Sequence, residues 1–432
     1  MHGNVCNSMI LGAGLAGLSA AYHGGGTVYE KSERCGGVCK SPAIDGYVFD
    51  MGIHVLHTRN EYVLRLLQQD LQIKLLTNER SARICSYGTL TRYPFQANTF
   101  GLPIPVVKEC LVSFIEASLR RHGDNNHQYH NYEDWIVAVF GKGIADHFMI
   151  PYSEKFWTVP PRDLTTDWMD IRIPLPTLEE VVEGALTEQA KEFGPNAVFR
   201  YPVSGGIAAL PEAFLKKGAK VCFRKEAVKI DPKNKTVLFS DGSSETYGSL
   251  ISTLPLPELI KIVEVPDEVL RAVSQLSYNS IICVNLGIDR VRISEHDWIY
   301  YPEEQYSFFR ISLLNNFSSA MAPAGKSSLT AEISYSSRRE INRDTIVETV
   351  KNDLKKAGVL RDDDRVEVSD MRDIKYAYVI YDHKRKKSLA TIKKFCKEQS
   401  IILAGRYGNW EYQWMDDAIL DGKRAAEEAK VV

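Results

Sequence analysis

The chain has 432 residues, a length that predicts two to four packed domains and allows a sizeable core. Hydrophobic residues make up 44% and charged residues 25% of the sequence, which excludes a disordered, collagen-like or coiled-coil protein. The 53 basic and 55 acidic side chains give a formal net charge of −2. We therefore expect no nucleic-acid partner, and we expect any anion site to rest on a few placed residues.

The sequence also disfavours membrane and metal-binding classes. No apolar run is long enough to span a membrane, and the first residues lack the pattern of a signal peptide. The eight cysteines are scattered, and only Cys35 and Cys39 lie close together, without the further ligands of a zinc site. We therefore predict a cytoplasmic protein with reduced thiols and no metal. The oligomeric state stays open, with a homo-oligomer as one alternative.

The first predicted element is a strand followed by a glycine-rich turn and a helix. The apolar segment 5–11 runs into the turn, and residues 18–22 read as a helix of small side chains. Gly12 permits a tight turn, Gly14 allows a pyrophosphate to approach the backbone, and Gly17 lets the helix pack close to the strand. The N-terminus of such a helix presents N–H groups and the positive end of the helix dipole to an anion.

A second predicted strand, residues 27–30, ends in Glu30, 18 positions after Gly12. At about this distance a carboxylate accepts hydrogen bonds from the ribose of an adenosine. A glycine turn by itself is weak evidence, because it also occurs as a purely structural turn. The strand, the helix and Glu30 together favour a dinucleotide-binding site over that alternative.

Two stretches after the second strand distinguish a flavin from a nicotinamide cofactor. An Arg-x-Gly-Gly turn follows the strand, and a Phe-Asp-x-Gly-x-His stretch occupies residues 49–54. Both resemble the FAD proteins of the amine oxidase, protoporphyrinogen oxidase and UDP-galactopyranose mutase group. The resemblance implies that the first stretch lies along FAD and that the Gly-x-His element lies against the isoalloxazine ring. The residues implied to contact FAD here are Arg34, Gly36, Gly37, Gly52 and, at the ring, His54, for which a structural histidine is the alternative.

A last flavin segment is predicted near the end of the chain. Residues 401–404 read as a buried strand, and a helix follows from Ala418. This segment resembles the second flavin segment of the same group, in which a strand end and a helix N-terminus approach the ribityl chain and the flavin. It adds Gly405, Arg406, Asp416 and Asp417 to the residues implied to bind the cofactor.

Between these segments the hydrophobic pattern changes twice. Helical periodicity in residues 106–119, 132–140 and 178–193 predicts a mostly helical insertion. β-Branched runs between 219 and 253 predict strands that again belong to the FAD-binding domain. Alternating and aromatic segments from 281 to 335 then predict an antiparallel sheet.

These elements predict an α/β fold with α+β content overall: a Rossmann-like FAD-binding domain with a helical insertion and an antiparallel β-sheet domain. The FAD-binding domain is discontinuous, and the two insertions interrupt it. In chain order, the predicted pieces are residues 1–80 (FAD-binding), 81–104 (sheet domain), 105–194 (helical), 195–265 (FAD-binding), 266–395 (sheet domain) and 396–432 (FAD-binding).

Six short motifs, in the right order, resemble the prokaryotic and eukaryotic types of UDP-galactopyranose mutase over nearly the whole chain. They lie at residues 52–58, 92–98, 156–172, 308–318, 376–381 and 405–412. In the first motif, Ile53 stands where the bacterial mutases have proline. The resemblance implies Tyr93, Phe95 and Gln96 for the uracil, Arg172 and Arg310 for the substrate, and Tyr378 and Tyr412 for the diphosphate. The two arginines and His54 are the catalytic candidates.

These residue types suit a nucleotide sugar. A diphosphate carries two negative charges, and a near-neutral protein must meet them with guanidinium groups that form bidentate hydrogen bonds. Tyrosines can donate to phosphate oxygens, aromatic rings can offer their faces to a base, and an amide can pair with the edge of an imide. The alternatives are a surface salt bridge for each arginine, packing for each tyrosine, and a buried aromatic pair for Tyr93 and Phe95.

The resemblance implies an isomerase that interconverts UDP-galactopyranose and UDP-galactofuranose. In that reaction N5 of reduced FAD attacks the anomeric carbon and UDP leaves. The sugar adduct then opens and recloses with the other ring size, and UDP returns without net transfer of electrons. The expected partners are a UDP-sugar and an external reductant, for which NAD(P)H is a candidate. The alternative is an FAD-dependent oxidoreductase of the amine oxidase or protoporphyrinogen oxidase type, which uses the same FAD segments.

Overall fold

The computed structural model describes residues 8–123, 128–169, 173–189 and 197–431. The strands are β1 (Ser8–Leu11), β2 (Thr27–Tyr29), β3 (Ala43–Ile44), β4 (Tyr47–Val48), β5 (Leu75–Glu79), β6 (Ala82–Ser86), β7 (Thr89–Arg92), β8 (Val198–Pro202), β9 (Lys220–Cys222), β10 (Ala227–Asp231), β11 (Thr236–Phe239), β12 (Ser244–Thr246), β13 (Ser249–Ser252), β14 (Tyr278–Ile288), β15 (Trp298–Tyr300), β16 (Arg310–Leu313), β17 (Ser327–Tyr335), β18 (Val366–Val379) and β19 (Ile401–Leu403).

The α-helices are α1 (Leu15–Gly24), α2 (Glu61–Arg65), α3 (Ile104–Gly123), α4 (Tyr132–Ile144), α5 (Ile150–Trp157), α6 (Leu178–Leu186), α7 (Ala209–Lys216), α8 (Leu256–Lys261), α9 (Asp267–Ser274), α10 (Leu314–Phe317), α11 (Ile346–Lys356), α12 (Arg385–Glu398), α13 (Gly405–Gly408) and α14 (Met415–Ala429). Short π-helical turns follow α2 and α4, at Leu66–Asp70 and Ala145–Met149. Short 3-10 turns lie at Phe95–Ala97, Pro161–Asp163, Gly206–Ala208 and Ser319–Met321.

A parallel sheet collects strands from distant parts of the chain, in the order β19-β13-β1-β2-β9. Its central strand β1 is buried along its whole length and pairs with β13 on one side and β2 on the other. Helices α1 and α14 pack against each other beside this sheet. A β-carbon at Gly422 would lie 2.1 Å from the carbonyl oxygen of Ala16, so the two helices meet backbone to backbone.

A second sheet has the order β18-β14-β17-β16-β15-β6-β7. Its neighbours are antiparallel, as predicted, except that β6 and β15 run parallel. Strand β6 lies far from β15 in the sequence, so no hairpin constrains their relative direction. Helix α11 packs on one face of this sheet through Val350 and Leu354, in a cluster with Ile282 and Val284.

The helical part of the chain contains α3, α4, α5 and α6. The predicted helices at 106–119 and 132–140 are confirmed, and both are a few residues longer than the pattern indicated. The predicted helix at 178–193 is wrong at its C-terminal end, because α6 ends at Leu186 and Thr187 is extended. The side-chain amide of Gln189 donates back to carbonyl oxygens of Ala97 and Glu180. These hydrogen bonds hold Gln189 in a non-helical segment, so the helix does not continue through residues 187–189.

None of the described helices, α3 included, is long and apolar enough to cross a membrane. In the same parts of the chain, no three His, Cys, Asp or Glu side chains come together in a group that could hold a metal ion. The domain boundaries given above stay a prediction.

Candidate active site

The N-terminus of α1 faces open space. Its N-cap is Gly14, no side chain caps it, and its first turn holds no acidic residue. A β-carbon at Gly14 would meet no atom within 4 Å, whereas one at Gly17 would lie 2.0 Å from the carbonyl oxygen of Gly12. Glycine at position 17 therefore lets α1 start close to the strand, and backbone N–H groups face a free volume at the positive end of the helix.

A second glycine turn borders this free volume. Gly36 donates its N–H to the carbonyl oxygen of Ala13 (2.8 Å), and Gly14 and Gly36 pair as an isolated bridge. A β-carbon at Gly37 would lie 3.4 Å from the α-carbon of Gly14. The two turns form a surface of backbone alone, which we call the glycine cradle; it consists of Gly12, Gly14, Gly17, Gly36 and Gly37.

Glu30 lies at the edge of the glycine cradle. One carboxylate oxygen accepts the N–H of Ala13 (2.9 Å), and the other accepts the N–H and the hydroxyl of Ser32 (2.9 and 2.7 Å). Glu30 stays half-buried, and Arg34 lies exposed on the turn that follows. An uncapped helix N-terminus, a bare glycine backbone and a fixed carboxylate fit the pyrophosphate and the ribose of a dinucleotide.

The Gly52 turn approaches a carboxylate of the second sheet. Gly52 has φ +76°, and a β-carbon there would lie 2.9 Å from Oε1 of Glu332, so position 52 requires glycine on both grounds. The N–H of Ile53 points at the same oxygen from 3.5 Å. His54 is half-buried, with Nδ1 at 3.4 Å from the Gly52 carbonyl oxygen. Burial lowers the pKa of His54 to about 4, so its imidazole is neutral at pH 7.

Arg310 and Glu332 form an ion pair beside the Gly52 turn. They lie opposite each other on β16 and β17, with Nε and Nη2 of the arginine donating to the two carboxylate oxygens at 2.5 and 2.8 Å. The residues are 8% and 2% exposed, so this is a buried pair and not the surface salt bridge considered as an alternative. Within the described residues, Nη1 of Arg310 donates to no partner, which leaves it for a ligand.

Arg406 lies against two stacked tyrosines. Its guanidinium carbon is 4.9 Å from the ring centre of Tyr378 and 4.8 Å from that of Tyr412, and the two rings stack at 5.7 Å. Nη1 and Nη2 donate to the carbonyl oxygens of Gln413 (2.9 Å) and Ala377 (3.0 Å), while the buried Nε has no partner in the described structure. Burial raises the pKa of Tyr378, so its hydroxyl stays protonated and can donate.

Tyr93 belongs to an aromatic wall that the sequence reasoning named only in part. Its ring lies 5.4 Å from that of Tyr300, which in turn meets Tyr152 edge-on at 5.5 Å. The guanidinium of Arg80 lies 4.8 Å from the centre of the Tyr93 ring. Tyr152 and Tyr300 were missed because no local pattern marks them. The available signal was register, since Tyr300 lies directly opposite Arg310 in the β15–β16 hairpin.

Phe156 connects this aromatic wall to the tyrosine pair. Its ring lies 4.5 Å from Tyr378, 5.9 Å from Tyr152 and, edge-on, 5.2 Å from Phe309. The charges of Arg310 and Arg406 act on both His54 and Tyr378, which places these groups in one neighbourhood. Of the residues singled out in the sequence, the structure brings together His54, Tyr93, Arg310, Tyr378, Arg406 and Tyr412.

Of the other three predicted substrate residues, two are buried in contacts with the protein itself and the third is not described. Phe95 is fully buried and stacks on Phe148 at 4.9 Å. Gln96 is also buried, and its amide donates to the carbonyl oxygen of Pro174 (2.8 Å). Arg172 lies outside the described residues.

The C-terminal segment is organised by an acid that the sequence reasoning missed. Asp421, nearly two turns into α14, accepts the N–H of Gly405 at 2.6 Å and so holds the segment that carries Arg406. Of the two predicted acids, Asp417 accepts the N–H of Trp414 (2.9 Å), and Asp416 precedes it in the first turn of α14. A carboxylate at a helix start is a visible signal in sequence, whereas one inside a helix is not.

A family model described as flavin-containing amine oxidoreductase matches residues 15–430. The chain belongs to this family. Among solved structures, reduced UDP-galactopyranose mutase matches with a TM-score of 0.93 and 26% identity, over 99% of this chain and 94% of that one. A putative protoporphyrinogen oxidase from Exiguobacterium sp. 255-15 matches with a TM-score of 0.74 and 16% identity, over 99% of each chain. Putrescine oxidase bound to putrescine matches with a TM-score of 0.66 and 17% identity, also over 99% of each chain.

Membership of this family, together with the match to reduced UDP-galactopyranose mutase, implies that the protein has a flavin as its cofactor. The predicted α/β fold class and the resemblance to the UDP-galactopyranose mutases are both confirmed. The protoporphyrinogen oxidase and the putrescine oxidase are less than 25% identical to this chain, so they support the fold alone.

Proposed function

We propose that this flavoprotein is a nucleotide-sugar mutase, an isomerase that interconverts UDP-galactopyranose and UDP-galactofuranose. The observation that carries the proposal is the arrangement of Arg310 and Arg406 with Tyr378 and Tyr412 beside the Gly52 turn. Two guanidinium groups and two phenols suit a diphosphate, whereas they would repel a protonated amine. The match to reduced UDP-galactopyranose mutase over 99% of the chain supports the same substrate class.

The proposed cofactor is FAD in its reduced form. The glycine cradle would hold its pyrophosphate through the N–H groups at the start of α1, and Glu30 would accept hydrogen bonds from its ribose. The Gly52 turn and the loop with Gly405 and Arg406 would border its ring system. When bound, reduced FAD supplies nucleophilic chemistry at the anomeric carbon without net transfer of electrons. An external reductant, with NAD(P)H as the candidate, would keep the cofactor reduced.

Arg310 would bind the diphosphate through Nη1. Glu332 holds the other two nitrogens, so the guanidinium keeps one orientation and little entropy is lost when the ligand binds. Glu332 also compensates the positive charge of Arg310, so this residue alone cannot neutralise a diphosphate. The proposal therefore requires the further donors at Arg406, Tyr378 and Tyr412.

Tyr378 and Tyr412 would donate hydrogen bonds to phosphate oxygens of both the bound substrate and the departed UDP. The stacked Arg406 guanidinium strengthens these donors, because a cation against the ring face makes the phenol more acidic. Holding UDP close favours its return to the sugar over attack by water. The aromatic wall of Tyr93, Tyr152 and Tyr300 would line the nucleoside end of the site and exclude water.

The test uses the full-length protein loaded with FAD and reduced with dithionite. We expect the reduced protein to convert UDP-galactofuranose to UDP-galactopyranose, and the oxidised protein to leave the substrate unchanged. Chromatography of the nucleotide sugars measures the conversion. Release of hydrogen peroxide from an amine, without any conversion, would contradict the proposal and favour the oxidoreductase alternative.

A matched pair of variants tests the site itself. Tyr378→Phe removes one proposed phosphate donor, so we expect UDP affinity to fall about tenfold or more, since a hydrogen bond to a charged group contributes about 1.5–3 kcal/mol. Tyr376→Phe, two residues away on β18, removes a hydroxyl that donates to Glu258 instead (2.5 Å), and we expect unchanged affinity. Titration calorimetry at equal flavin content compares the two. Equal effects of both variants would remove Tyr378 from the site.

A further inference from the structure

Asn279 of β14 is fully buried, and its side chain joins two other elements. Its Oδ1 accepts the N–H of Tyr378 on β18 (3.0 Å), and its Nδ2 donates to the carbonyl oxygen of Phe156 on α5 (2.7 Å). An N–H needs the amide oxygen and a carbonyl needs the amide nitrogen, so the two partners fix the orientation of the amide group. Phe156 lies in the last turn of α5, where carbonyl oxygens have no partner inside the helix. Asn279 therefore binds a helix end and a strand with one side chain.

The strand pairing beside Asn279 is irregular. Between the pairs Ile281–Ile374 and Asn279–Tyr378, β14 advances by two residues and β18 by four. A β-bulge of this kind bends its strand and re-aims the neighbouring side chain, and such bulges are common beside active sites. Regular strand pairing therefore does not fix the direction of the Tyr378 ring, and the bond from its N–H to Asn279 is a further restraint on it.

The Asn279 bridge also sets the distance between two half-buried rings. The rings of Phe156 and Tyr378 lie 4.5 Å apart, and Phe156 meets Phe309 edge-on at 5.2 Å. The planar amide of Asn279 holds the backbone of Phe156 at one end and the backbone of Tyr378 at the other. A displacement of α5 from β18 would break one of these hydrogen bonds and separate the two rings.

The surroundings of Asn279 are otherwise apolar. Ile281 and Cys283, which alternate with it on the same face of β14, are buried in an apolar cluster. Burying an amide costs free energy that its hydrogen bonds offset, and an apolar side chain would avoid this cost. A buried polar group with its bonds satisfied instead specifies one arrangement of its partners. Orientation of Phe156 and Tyr378 therefore accounts for an amide at position 279 better than stability does.

We propose that Asn279 is a positioning residue that acts through Tyr378. It fixes the backbone of Tyr378 at the end of the bulge, and with it the direction from which the phenol reaches the diphosphate. This role rests on the proposed function, in which Tyr378 donates to a phosphate oxygen. A donor that is already oriented loses little entropy when the ligand binds, whereas a mobile ring loses more.

A double-mutant cycle between Asn279 and Tyr378 tests this role. The full-length, flavin-loaded protein is titrated with UDP in a calorimeter, and the variants are compared at equal flavin content. Asn279→Ala is expected to raise the dissociation constant of UDP about fivefold or more, an effect typical of coupled residues in contact. In the Tyr378→Phe background the phosphate donor is already absent, so the same change is expected to raise the dissociation constant by less than about twofold.

Asn285 provides a matched control on the same strand. It is also fully buried, and its side chain also joins two neighbours. Its Nδ2 donates to Asp370 (3.1 Å) and its Oδ1 accepts the hydroxyl of Thr330 (2.7 Å). It lies about 20 Å further along β14 than Asn279. Asn285→Ala is expected to lower the free energy of unfolding in urea as Asn279→Ala does, and to leave the affinity for UDP unchanged.

The possible results separate this role from a structural one and from the proposed function. Equal losses of UDP affinity from Asn279→Ala in the wild-type and Tyr378→Phe backgrounds would overturn the role, because a merely structural residue acts regardless of the phenol. An equal loss in Asn285→Ala would overturn it too. A wild-type protein that binds no UDP would overturn the proposed function, and this role with it. Asn279→Ser, whose shorter side chain cannot span both partners, replaces Asn279→Ala in the cycle where the alanine variant does not fold.

Discussion

At Glu332, one buried carboxylate meets two separate elements. It accepts two hydrogen bonds from Arg310 on the neighbouring strand, and it faces the N–H of Ile53 in the turn that would border the flavin. Removing either partner leaves a buried charge without compensation. The intact pair need not make the fold more stable than apolar side chains would. Its effect is to hold the Arg310 guanidinium in one orientation.

Glu332→Ala is expected to destabilise the protein by about 3–5 kcal/mol, because it leaves the Arg310 guanidinium buried and unpaired. Glu304→Ala is the matched control, since Glu304 pairs with Arg339 at 2.9 Å but is 66% exposed. That exposed pair is expected to contribute about 1 kcal/mol or less. Urea unfolding of both variants measures the difference, and similar losses would show that burial does not set the strength of the Arg310 pair.

Asp50 is a buried carboxyl that joins a loop, strand β8 and the 3-10 turn that follows β8. It accepts hydrogen bonds from the hydroxyls of Ser41 (2.6 Å) and Tyr201 (2.5 Å) and from the N–H of Ile207 (3.2 Å). Burial raises the pKa of Asp50 from 3.8 to about 6, although these three bonds lower it. Its backbone carbonyl oxygen also accepts the N–H of Gly52 (3.0 Å), so Asp50 lies at the start of the Gly52 turn.

Because its pKa is raised, Asp50 stabilises the folded protein at low pH and stops doing so as the pH rises. The folded state holds the proton more tightly than the unfolded state, so this contribution is complete below pH 3.8 and is lost as the pH rises through about 6. Relative to Asp50→Asn, we expect the wild-type free energy of unfolding to fall by up to about 3 kcal/mol between pH 4 and pH 6.5. Urea unfolding at each pH measures these free energies. If they depend on pH in the same way in both proteins, the predicted contribution of Asp50 is contradicted.

At the scale of elements, two glycines at the start of α1 differ in the space around them. Gly17 has no room for a β-carbon, whereas Gly14 has no neighbour within 4 Å and a negative φ of −75°. Glycine at position 17 is therefore required by the packing of α1, whereas no packing contact requires glycine at position 14, which we propose to face the pyrophosphate of the cofactor. The glycine pattern in the sequence does not separate these two roles.

Gly14→Ala and Gly17→Ala separate them by experiment. We expect Gly14→Ala to keep the melting temperature of the flavin-free protein and to weaken flavin binding, because its methyl group fills the open cradle. Gly17→Ala is expected to lower both the melting temperature and the affinity for flavin, since its methyl group displaces α1 from Gly12. Melting curves of flavin-free protein and absorbance of the bound flavin give the two readouts. A large loss of melting temperature in Gly14→Ala would contradict this division.

At the scale of the whole molecule, the parallel sheet depends on the ends of the chain. Strands β1 and β2 come from the N-terminal region, β9 and β13 from the middle, and β19 from the C-terminal region. Helix α14 then packs its buried face, with Ile419 and Ala425, into the same core as α1. The proposed flavin site is thus complete only when the last thirty or so residues have joined the first thirty.

Deletion of residues 401–432 removes β19 and α14 and leaves β13 as an edge strand. We expect this variant to bind no flavin and to lose cooperative unfolding, because the apolar side chains of α1 lose their partners. Deletion of the last two residues is the control, since Val431 is 88% exposed and is expected to contribute little. Flavin absorbance and urea unfolding are the measurements. Normal flavin binding by the longer deletion would contradict the split architecture.

The sequence by itself determined the strand, glycine turn and helix at the start of the chain, because neighbours in the sequence decide that unit. It also determined most of α3 and α4 and, through short motifs, the family resemblance. It could not determine the end of α6, where Gln189 bonds to Ala97, or the buried partner of Arg310. Those features depend on strand register and on loops distant in sequence. Only the tertiary structure placed Arg406 against Tyr378 and Tyr412, because packing across the two sheets decides that contact.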